Sequence, residues 1–212
     1  MYVPAHFAPP SPAAVRELLD RHGAADLVTA TDEGLRATLL PFVHDPAPDG
    51  GPGVLRGHLA RTNDHWQLAA RGEAMVIVRG PDTYVSPTWY ASKAEHGRVV
   101  PTWNYVTAHV YGRLEVHDDV DWTARVVRDL TARHEAGRTP AWDVDDAPAA
   151  FTAGQLRAIV GVEVVVTRVE AKWKLSQNRP PADVQGVIDA LSNGDAAARA
   201  VARAMDDVRA PD

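Results

Sequence analysis

A polar corner after a short apolar segment contains the first residues suited to chemistry. Residues 57–66 read Gly-His-Leu-Ala-Arg-Thr-Asn-Asp-His-Trp. Arg61 is a fixed cation with a fork of donors, and Asn63 is a helix-capping residue type, so a helix beginning here would favour an anion such as a phosphate. His65 has the chemistry to orient a ligand, bind a metal through a ring nitrogen, or hydrogen-bond its neighbours. A satisfied helix start without a ligand is the alternative.

Three further clusters combine polar and aromatic side chains at the ends of predicted strands. They lie at residues 84–90, 101–105 and 174–179. Together with the corner, they contain or border four of the six tryptophans: Trp66, Trp89, Trp103 and Trp173. A mixture of aromatic surface, hydrogen-bonding side chains and cations is suited to a flat aromatic cofactor. We therefore predict that the four clusters converge on one cofactor site.

Other chemistries have little support in this sequence. The chain contains no cysteine, which excludes disulfides, thiolate nucleophiles and iron–sulfur clusters. The motifs of serine hydrolases, P-loop enzymes and zinc proteases do not occur. His58, His65 and His109 are not spaced to bind a metal on one helix face, but a lone axial ligand of haem needs only one histidine, which leaves His65 eligible. No catalytic residue is assigned.

Composition and charge narrow the class of protein. The 212 residues are 45% hydrophobic and 24% charged, as in an ordinary folded protein with one main core. The formal net charge is -6 and no basic run occurs, which makes direct DNA binding doubtful. No apolar run approaches the length of a membrane span, and the N-terminus lacks signal-peptide features. We therefore expect a cytoplasmic location.

The elements that must position the clusters follow from hydrophobic periodicity and turn residues. Residues 24–31 and 35–43 flank Asp-Glu-Gly and predict a hairpin, in which Pro41 indicates that the second strand is at an edge or bulges there. Further strands are predicted at 54–60, 73–79, 100–116 and 162–176, and helices at 11–23, 63–71, 118–137, 152–158 and 183–212. Residues 45–53 and 91–99 are predicted loops. Because most strands are sequence neighbours, the pattern predicts a small antiparallel barrel with peripheral helices.

The long strand at 100–116 has two different faces. Val106, Ala108 and Val110 alternate on a core face. The other face carries aromatic and polar residues, including Trp103 and Tyr105, and is a candidate for a subunit interface or a flat cofactor. A solvated face with scattered aromatic residues is the alternative.

Five segments in order resemble the PaiB family of FMN-binding negative transcriptional regulators. They are residues 1–7, 57–66, 80–90, 100–105 and 174–179, which read MYVPAHF, GHLARTNDHW, GPDTYVSPTWY, VPTWNY and KLSQNR. The resemblance covers roughly residues 1–190. It implies an α+β fold, an antiparallel split β-barrel of the FMN-binding type at residues 1–180, with peripheral helices and a helical C-terminal extension at 181–212. It also implies a homodimer with two cofactor sites across its interface.

The same resemblance assigns residues to the cofactor. Arg61 and Asn63 would hold a phosphate or propionates, with His65 and Trp66 in the same corner. The remaining residues implied to line and close the site are Thr102, Trp103, Asn104, Lys174, Ser176, Gln177 and Arg179. The sequence departs from the family at Asp64, where proline is common, and an acid beside a phosphate is unfavourable unless it faces helix N–H groups.

FMN is the first cofactor implied, and haem b is the alternative. A branch of the family resembles piperazate synthase, a haem enzyme that forms a nitrogen–nitrogen bond, in which the histidine matching His65 is the axial ligand. Residues 100–105 and 174–179 resemble the general family more than that branch. The leading hypothesis is thus a homodimer that binds a flat redox cofactor and acts on a small molecule. A non-catalytic, cofactor-responsive transcriptional regulator and a barrel that has lost its cofactor are the rivals.

Overall fold

The computed structural model describes residues 1–48, 50–68 and 70–209. Its strands are β1 (Ala24–Thr31), β2 (Gly34–Pro41), β3 (Val43–Asp45), β4 (Val54–Ala60), β5 (Ala74–Val85), β6 (Thr102–His117) and β7 (Ile159–Lys174). The α-helices are α1 (Pro12–Arg21), α2 (Ser92–His96), α3 (Val120–Glu135), α4 (Ala149–Arg157), α5 (Pro181–Ser192) and α6 (Ala196–Asp207). The strands form one antiparallel sheet in the order β2-β1-β5-β6-β7-β4-β3. The α+β class is confirmed.

The chain divides into two compact units. The first unit comprises Met1–Leu18, Arg79–Ala108 and Glu170–Asp212, and the second comprises Leu19–Val78 and His109–Val169. The predicted domain boundary between residues 180 and 181 coincides with the start of α5 at Pro181. A separate domain there stays a prediction. Residues 210–212 of the predicted tail lie outside the described residues.

The second unit begins with the predicted hairpin. β1 pairs antiparallel with β2 from Ala24 opposite Pro41 to Thr31 opposite Gly34, and β2 is the outermost strand, as Pro41 indicated. β4 pairs antiparallel with β3 and β7, and its observed bounds match the predicted ones. Side chains without solvent exposure form the core between these strands and α3, among them Leu27, Phe42, Leu55, Val76, Val126 and Val160.

The helix predicted at 63–71 is wrong, because only a single 3-10 turn forms at Asp64–Trp66. The hairpin ties the chain at both ends of the segment. His65 is buried against the side chains of β1 and β2, and the N–H of Arg71 donates to the carbonyl of Ala30 at 2.7 Å. These contacts leave no length for nine helical residues. Ala69, within the predicted helix, lies outside the described residues.

Two further boundaries in the first unit differ from expectation. β5 continues to Val85 instead of stopping at Gly-Pro-Asp. Gly80 lies against Val106, where an added Cβ would be 2.8 Å from the Val106 Cβ, so close strand packing carries the strand through the glycine. The predicted polar loop at 91–99 contains α2.

The helical tail predicted for the first unit is confirmed over its described residues. α5 and α6 contribute buried side chains to one core: Val184, Val187, Ile188, Leu191, Val201 and Met205. The buried carboxylate of Asp183 accepts hydrogen bonds from the N–H and hydroxyl of Ser92, at 2.9 and 2.7 Å, which fixes the start of α5 against α2. Among the described residues, no helix has both the length and the apolar character needed to cross a membrane.

Buried histidines in the second unit make its stability depend on pH. Burial lowers the pKa of His22 and of His58 below the usual 6.5. The Nε2 of His22 and the Nδ1 of His58 are buried without a hydrogen-bond partner in the described part of the chain. The unfolded chain therefore takes up protons at these rings more readily than the folded one. The contribution of the two neutral rings to the stability of the fold is complete above a pH of about 6.5 and is lost as the pH falls.

We expect the urea concentration at the midpoint of unfolding to decrease when the pH is lowered from 7.5 to 5.5. The His58→Leu variant should show a smaller decrease, because it lacks the ring that takes up a proton on unfolding. His96→Leu, at an exposed position on α2, serves as the control and should show the same decrease as the wild type. A His58→Leu profile parallel to that of the wild type would contradict the assignment.

Candidate functional site

Two lysines of the first unit point to the same side of β7. Lys172 and Lys174 are separated by one residue, so their side chains share a face of the strand. Lys172 is 8% exposed and its Nζ donates to the carbonyl of Tyr2 at 3.2 Å. Lys174 donates to the hydroxyl of Thr102 at 2.7 Å and to the carbonyl of Trp103 at 2.6 Å. The partners of both ammonium groups are therefore neutral.

Aromatic rings surround these two lysines. The rings of Phe7 and Tyr105 lie within 6 Å of both ammonium nitrogens, at 5.6–5.9 Å. The Tyr2 ring lies 5.5 Å from the Nζ of Lys172. The negative faces of such rings attract a cation but leave its charge uncancelled.

Arg179 adds a third cation to this side of the first unit. Its guanidinium lies 4.7 Å from the centre of the Tyr90 ring. Burial, followed by the charges of Lys172 and Arg179, lowers the pKa of Lys174, as expected when like charges gather. Within the described chain, no carboxylate forms a salt bridge with Lys172, Lys174 or Arg179. We call these three residues the cation cluster.

A strained turn carries the chain from Lys174 to Arg179. Ser176 has a φ of 67° in the left-handed region, which costs a non-glycine residue about 1 kcal/mol or more. Its hydroxyl donates to the Oδ1 of Asn104 at 3.1 Å, and its carbonyl accepts from the N–H of Arg179 at 3.0 Å. Gln177 ties the turn further, since its amide contacts the N–H of Leu175 and the carbonyl of Trp173 at 2.8 and 2.6 Å. These bonds hold Arg179 in place.

Asn104 supports this turn from inside the core. Its side chain is fully buried, and its Nδ2 lies 3.4 Å from the Sδ of Met205 on α6. The amide of Asn104 therefore contacts the turn through its oxygen and α6 through its nitrogen, which positions Ser176. Trp103, in contrast, is 49% exposed and donates its indole N–H to Asp82 at 2.9 Å. Its ring stands edge-to-face with that of Tyr84, at a centroid distance of 6.3 Å.

A cavity of about 320 Å³ adjoins the turn within the first unit. It is lined by Leu175, Gln177, Arg179, Pro181, Val184, Met205, Val208 and Arg209. Its walls combine apolar side chains with two guanidinium groups. This combination suits a ligand that has an apolar body and an anionic group.

The polar corner of the second unit is committed to internal contacts. The guanidinium of Arg61 bonds to the carboxylate of Asp118 at 2.6 and 3.2 Å and to the carbonyls of Arg157 and Ile159 at 2.9 and 3.2 Å. This pairing lowers the pKa of Asp118 below its usual value. The indole N–H of Trp66 donates to the carbonyl of Arg61 at 3.1 Å. The charge of Arg61 is thus already neutralised by a carboxylate.

His65 is held by threonine hydroxyls at both ring nitrogens. Its side chain is 2% exposed, with Nε2 2.8 Å from the hydroxyl of Thr29 and Nδ1 2.9 Å from that of Thr38. Asn63 accepts the N–H of His65 at 3.0 Å and donates to Thr38 at 3.2 Å. Burial, followed by the charge of Arg36, lowers the pKa of His65 and favours the neutral ring. A haem iron at His65 would have to displace one threonine hydroxyl.

The structure places the predicted cofactor residues in two groups, one in each unit. The first unit holds Thr102, Trp103, Asn104, Lys174, Ser176, Gln177 and Arg179, and the second holds Arg61, Asn63, His65 and Trp66. Their roles toward a cofactor stay predictions. The residues predicted to bind the cofactor did not include Lys172 or Phe7, whereas Tyr90 belonged to the predicted cluster at residues 84–90. The alternation of β7 carried the missing signal for Lys172, because residues two apart share a strand face.

Comparisons with known proteins identify the family of the chain. The family model described as "Putative FMN-binding domain" matches residues 1–168. The chain is 28% identical to the Protease synthase and sporulation protein PAI 2 of Bacillus subtilis (strain 168), over 91% of this chain and 90% of the relative.

Two solved structures resemble the chain in fold. The flavocytochrome Anf3 from Azotobacter vinelandii has a TM-score of 0.59 at 14% identity, covering 81% of this chain and 72% of its own. The FAD and heme binding protein from Mycobacterium smegmatis has a TM-score of 0.54 at 19% identity, covering 78% and 72%. The predicted antiparallel split β-barrel is confirmed.

Proposed function

Because the chain belongs to the PaiB-like FMN-binding family, we propose that its cation cluster holds the phosphate of FMN and that the bound flavin acts on a small molecule. The protein is a flavin-binding split-barrel protein, and FMN as first cofactor with haem as the alternative agrees with the comparisons.

One observation carries this proposal: three cations gather on one side of the first unit without a carboxylate among their described salt-bridge partners. A phosphate monoester carries a charge of about −1.5 to −2 at neutral pH and three acceptor oxygens. It would bring negative charge to the three cations without displacing an existing ion pair. Arg61 is less suited to bind the phosphate, because a phosphate there must compete with the carboxylate of Asp118.

The residues beside the cluster fit the remainder of FMN. Trp103 and Tyr84 offer exposed aromatic surface for a flat ring, and Thr102 offers a hydroxyl beside Lys174. When bound, the isoalloxazine ring accepts and donates electrons singly or in pairs. The chain's own residues bind its phosphate, orient its ring and shield one face from water. The cavity beside Arg179 is the place we propose for an anionic substrate.

Haem fits the described arrangement less well. Axial ligation needs an accessible, unprotonated ring nitrogen, and both nitrogens of His65 already lie within hydrogen-bond distance of threonine hydroxyls. Ligation through Nε2 would break the contact with the buried hydroxyl of Thr29, and ligation through Nδ1 would break the contact with Thr38. FMN requires no such rearrangement at the cation cluster.

We also propose that the protein is a homodimer. The exposed ring of Trp103 and the half-buried rings of Tyr105 and Tyr111 along β6 support a second copy as a partner, because aromatic residues are enriched at the cores of protein interfaces. Light scattering is expected to give twice the chain mass of 22.9 kDa. A mass of one chain at micromolar concentration would contradict it.

The FMN proposal is tested by titrating the purified protein with FMN while recording flavin absorption and fluorescence. We expect one FMN per chain, with a shifted absorption band and altered fluorescence as the ring leaves water. A reductant such as dithionite should then bleach the bound band reversibly. Saturating FMN without any spectral change or retention through gel filtration would contradict the proposal.

A further inference from the structure

A side-chain cluster in the second unit has the composition of a metal site. Glu115 and His117 lie on one face of β6, two residues apart, and Glu163 lies on the neighbouring strand β7. One ligand atom from each of the three residues lies within 4.8 Å of the others. This holds for the part of the chain that the structure describes.

The imidazole of His117 lacks the partner that its position calls for. Its Nε2 is buried and has no hydrogen-bond partner among the described residues. The nearest carboxylate oxygen, on Glu163, is 3.9 Å away, which is too far for a hydrogen bond. A zinc ion typically lies about 2.0–2.2 Å from its nitrogen and oxygen ligands, so this gap suits an ion between the two atoms.

The surroundings of His117 fix the plane of its ring. Trp122, in the first turn of α3, stacks on it with a centroid distance of 4.0 Å and an interplanar angle of 10°. Asp119 caps α3 by accepting the N–H of Trp122 at 2.7 Å. Gly161 makes room for the indole, since an added Cβ there would lie 2.3 Å from the Trp122 ring. A ring held in this way is suited to ligation, because it loses little freedom when an ion binds.

The two carboxylates supply the negative charge that a cation needs. The side chain of Glu163 is 17% exposed and that of Glu115 is 31% exposed, so both carboxylates are partly shielded from water. Glu115 also pairs with Arg113, but a carboxylate has two oxygens and can serve both partners. One imidazole nitrogen and two carboxylate oxygens form a donor set that binds a divalent transition ion in preference to Mg²⁺.

We propose that Glu115, His117 and Glu163 bind a divalent transition ion of the Zn²⁺ class. The ion joins β6 to β7 through three protein ligands and leaves at least one coordination position for water. This site is independent of the cation cluster and of FMN.

The test is a calorimetric titration of the full chain with ZnCl₂ at pH 7.5, after treatment with a chelator. We expect one Zn²⁺ per chain at micromolar affinity, weaker binding of Mn²⁺ and no measurable binding of Mg²⁺. At Zn²⁺ about 100-fold above Kd, the Tm should rise by roughly 5–10 °C. A chelator-treated chain that takes up no Zn²⁺ at 100 µM would overturn the proposal.

Matched variants separate this site from adventitious binding by other histidines. Glu163→Gln and Glu115→Gln keep the side-chain size and should each weaken Zn²⁺ at least about 10-fold, while His134→Ala, at an exposed position, should bind as the wild type does. His117→Ala should abolish binding, and if its loss of stacking prevents folding, the two glutamine variants decide. Wild-type affinity in both glutamine variants would show an adventitious ion only.

Discussion

Lys174→Gln is expected to weaken FMN binding about 10- to 100-fold, because a charge-assisted hydrogen bond contributes roughly 1.5–3 kcal/mol. The substitution keeps a side chain of similar length that can still donate to Thr102 and the carbonyl of Trp103. The fold should therefore persist while the charge is lost. Quenching of flavin fluorescence in a titration measures the change.

The chain offers a matched control for this experiment. It contains three lysines, and the third, Lys93, is exposed on α2 of the same unit. Lys93→Gln changes the net charge by the same amount but should leave the FMN affinity within about twofold. If the two variants weaken FMN equally, the effect is one of general charge and the cation cluster is not the phosphate site.

The pKa of Lys174 adds a pH signature. Burial and the neighbouring cations lower the pKa of this ammonium group. FMN binding should accordingly weaken on the alkaline side earlier than an ordinary lysine would allow, since the neutral amine no longer attracts the phosphate. In Lys174→Gln this alkaline decline should be smaller.

His65→Ala is expected to lower the free energy of unfolding by about 3 kcal/mol, because it opens a cavity and leaves the hydroxyls of Thr29 and Thr38 without their buried partner. Its effect on FMN affinity should stay within about twofold. Urea unfolding and an FMN titration on the same preparation measure both quantities. His134→Ala, exposed on α3, should change neither.

The same variant separates the two cofactors. If the protein bound haem through His65, hemin would produce a Soret band that His65→Ala abolishes. We expect no His65-dependent Soret band, because both ring nitrogens are engaged. Such a band would contradict the role that we give to His65 inside the hairpin.

The sequence determined most of the strands but not their ends. Regular alternation and turn residues located β1 and β4 at their observed bounds and β2 to within two residues, since local pattern and tertiary packing agree there. The helix expected at residues 63–71 failed because the burial of His65 against the hairpin is a long-range contact. A local pattern carries no record of it.

The residues of the candidate site were likewise only partly predictable from the sequence. Lys174 and Arg179 could be selected from their types and their resemblance to a known family. β-strand alternation places Lys172 on the same face as Lys174, but only the structure shows that Lys172 is buried among aromatic rings. Arg61 looked like a free cation in the sequence, and only the structure reveals Asp118, 57 positions away, as its partner. Pairing between distant residues decides which charges remain available for a ligand.

The central claim, that the cation cluster holds the phosphate of FMN, is tested most directly by comparing FMN with riboflavin, which lacks the phosphate. We expect the wild type to bind FMN at least about 100-fold more tightly, and Lys172→Gln/Lys174→Gln to reduce that ratio to a few-fold with little change for riboflavin. If the double variant weakens both ligands equally, so that the ratio is unchanged, the phosphate lies elsewhere and the claim is contradicted.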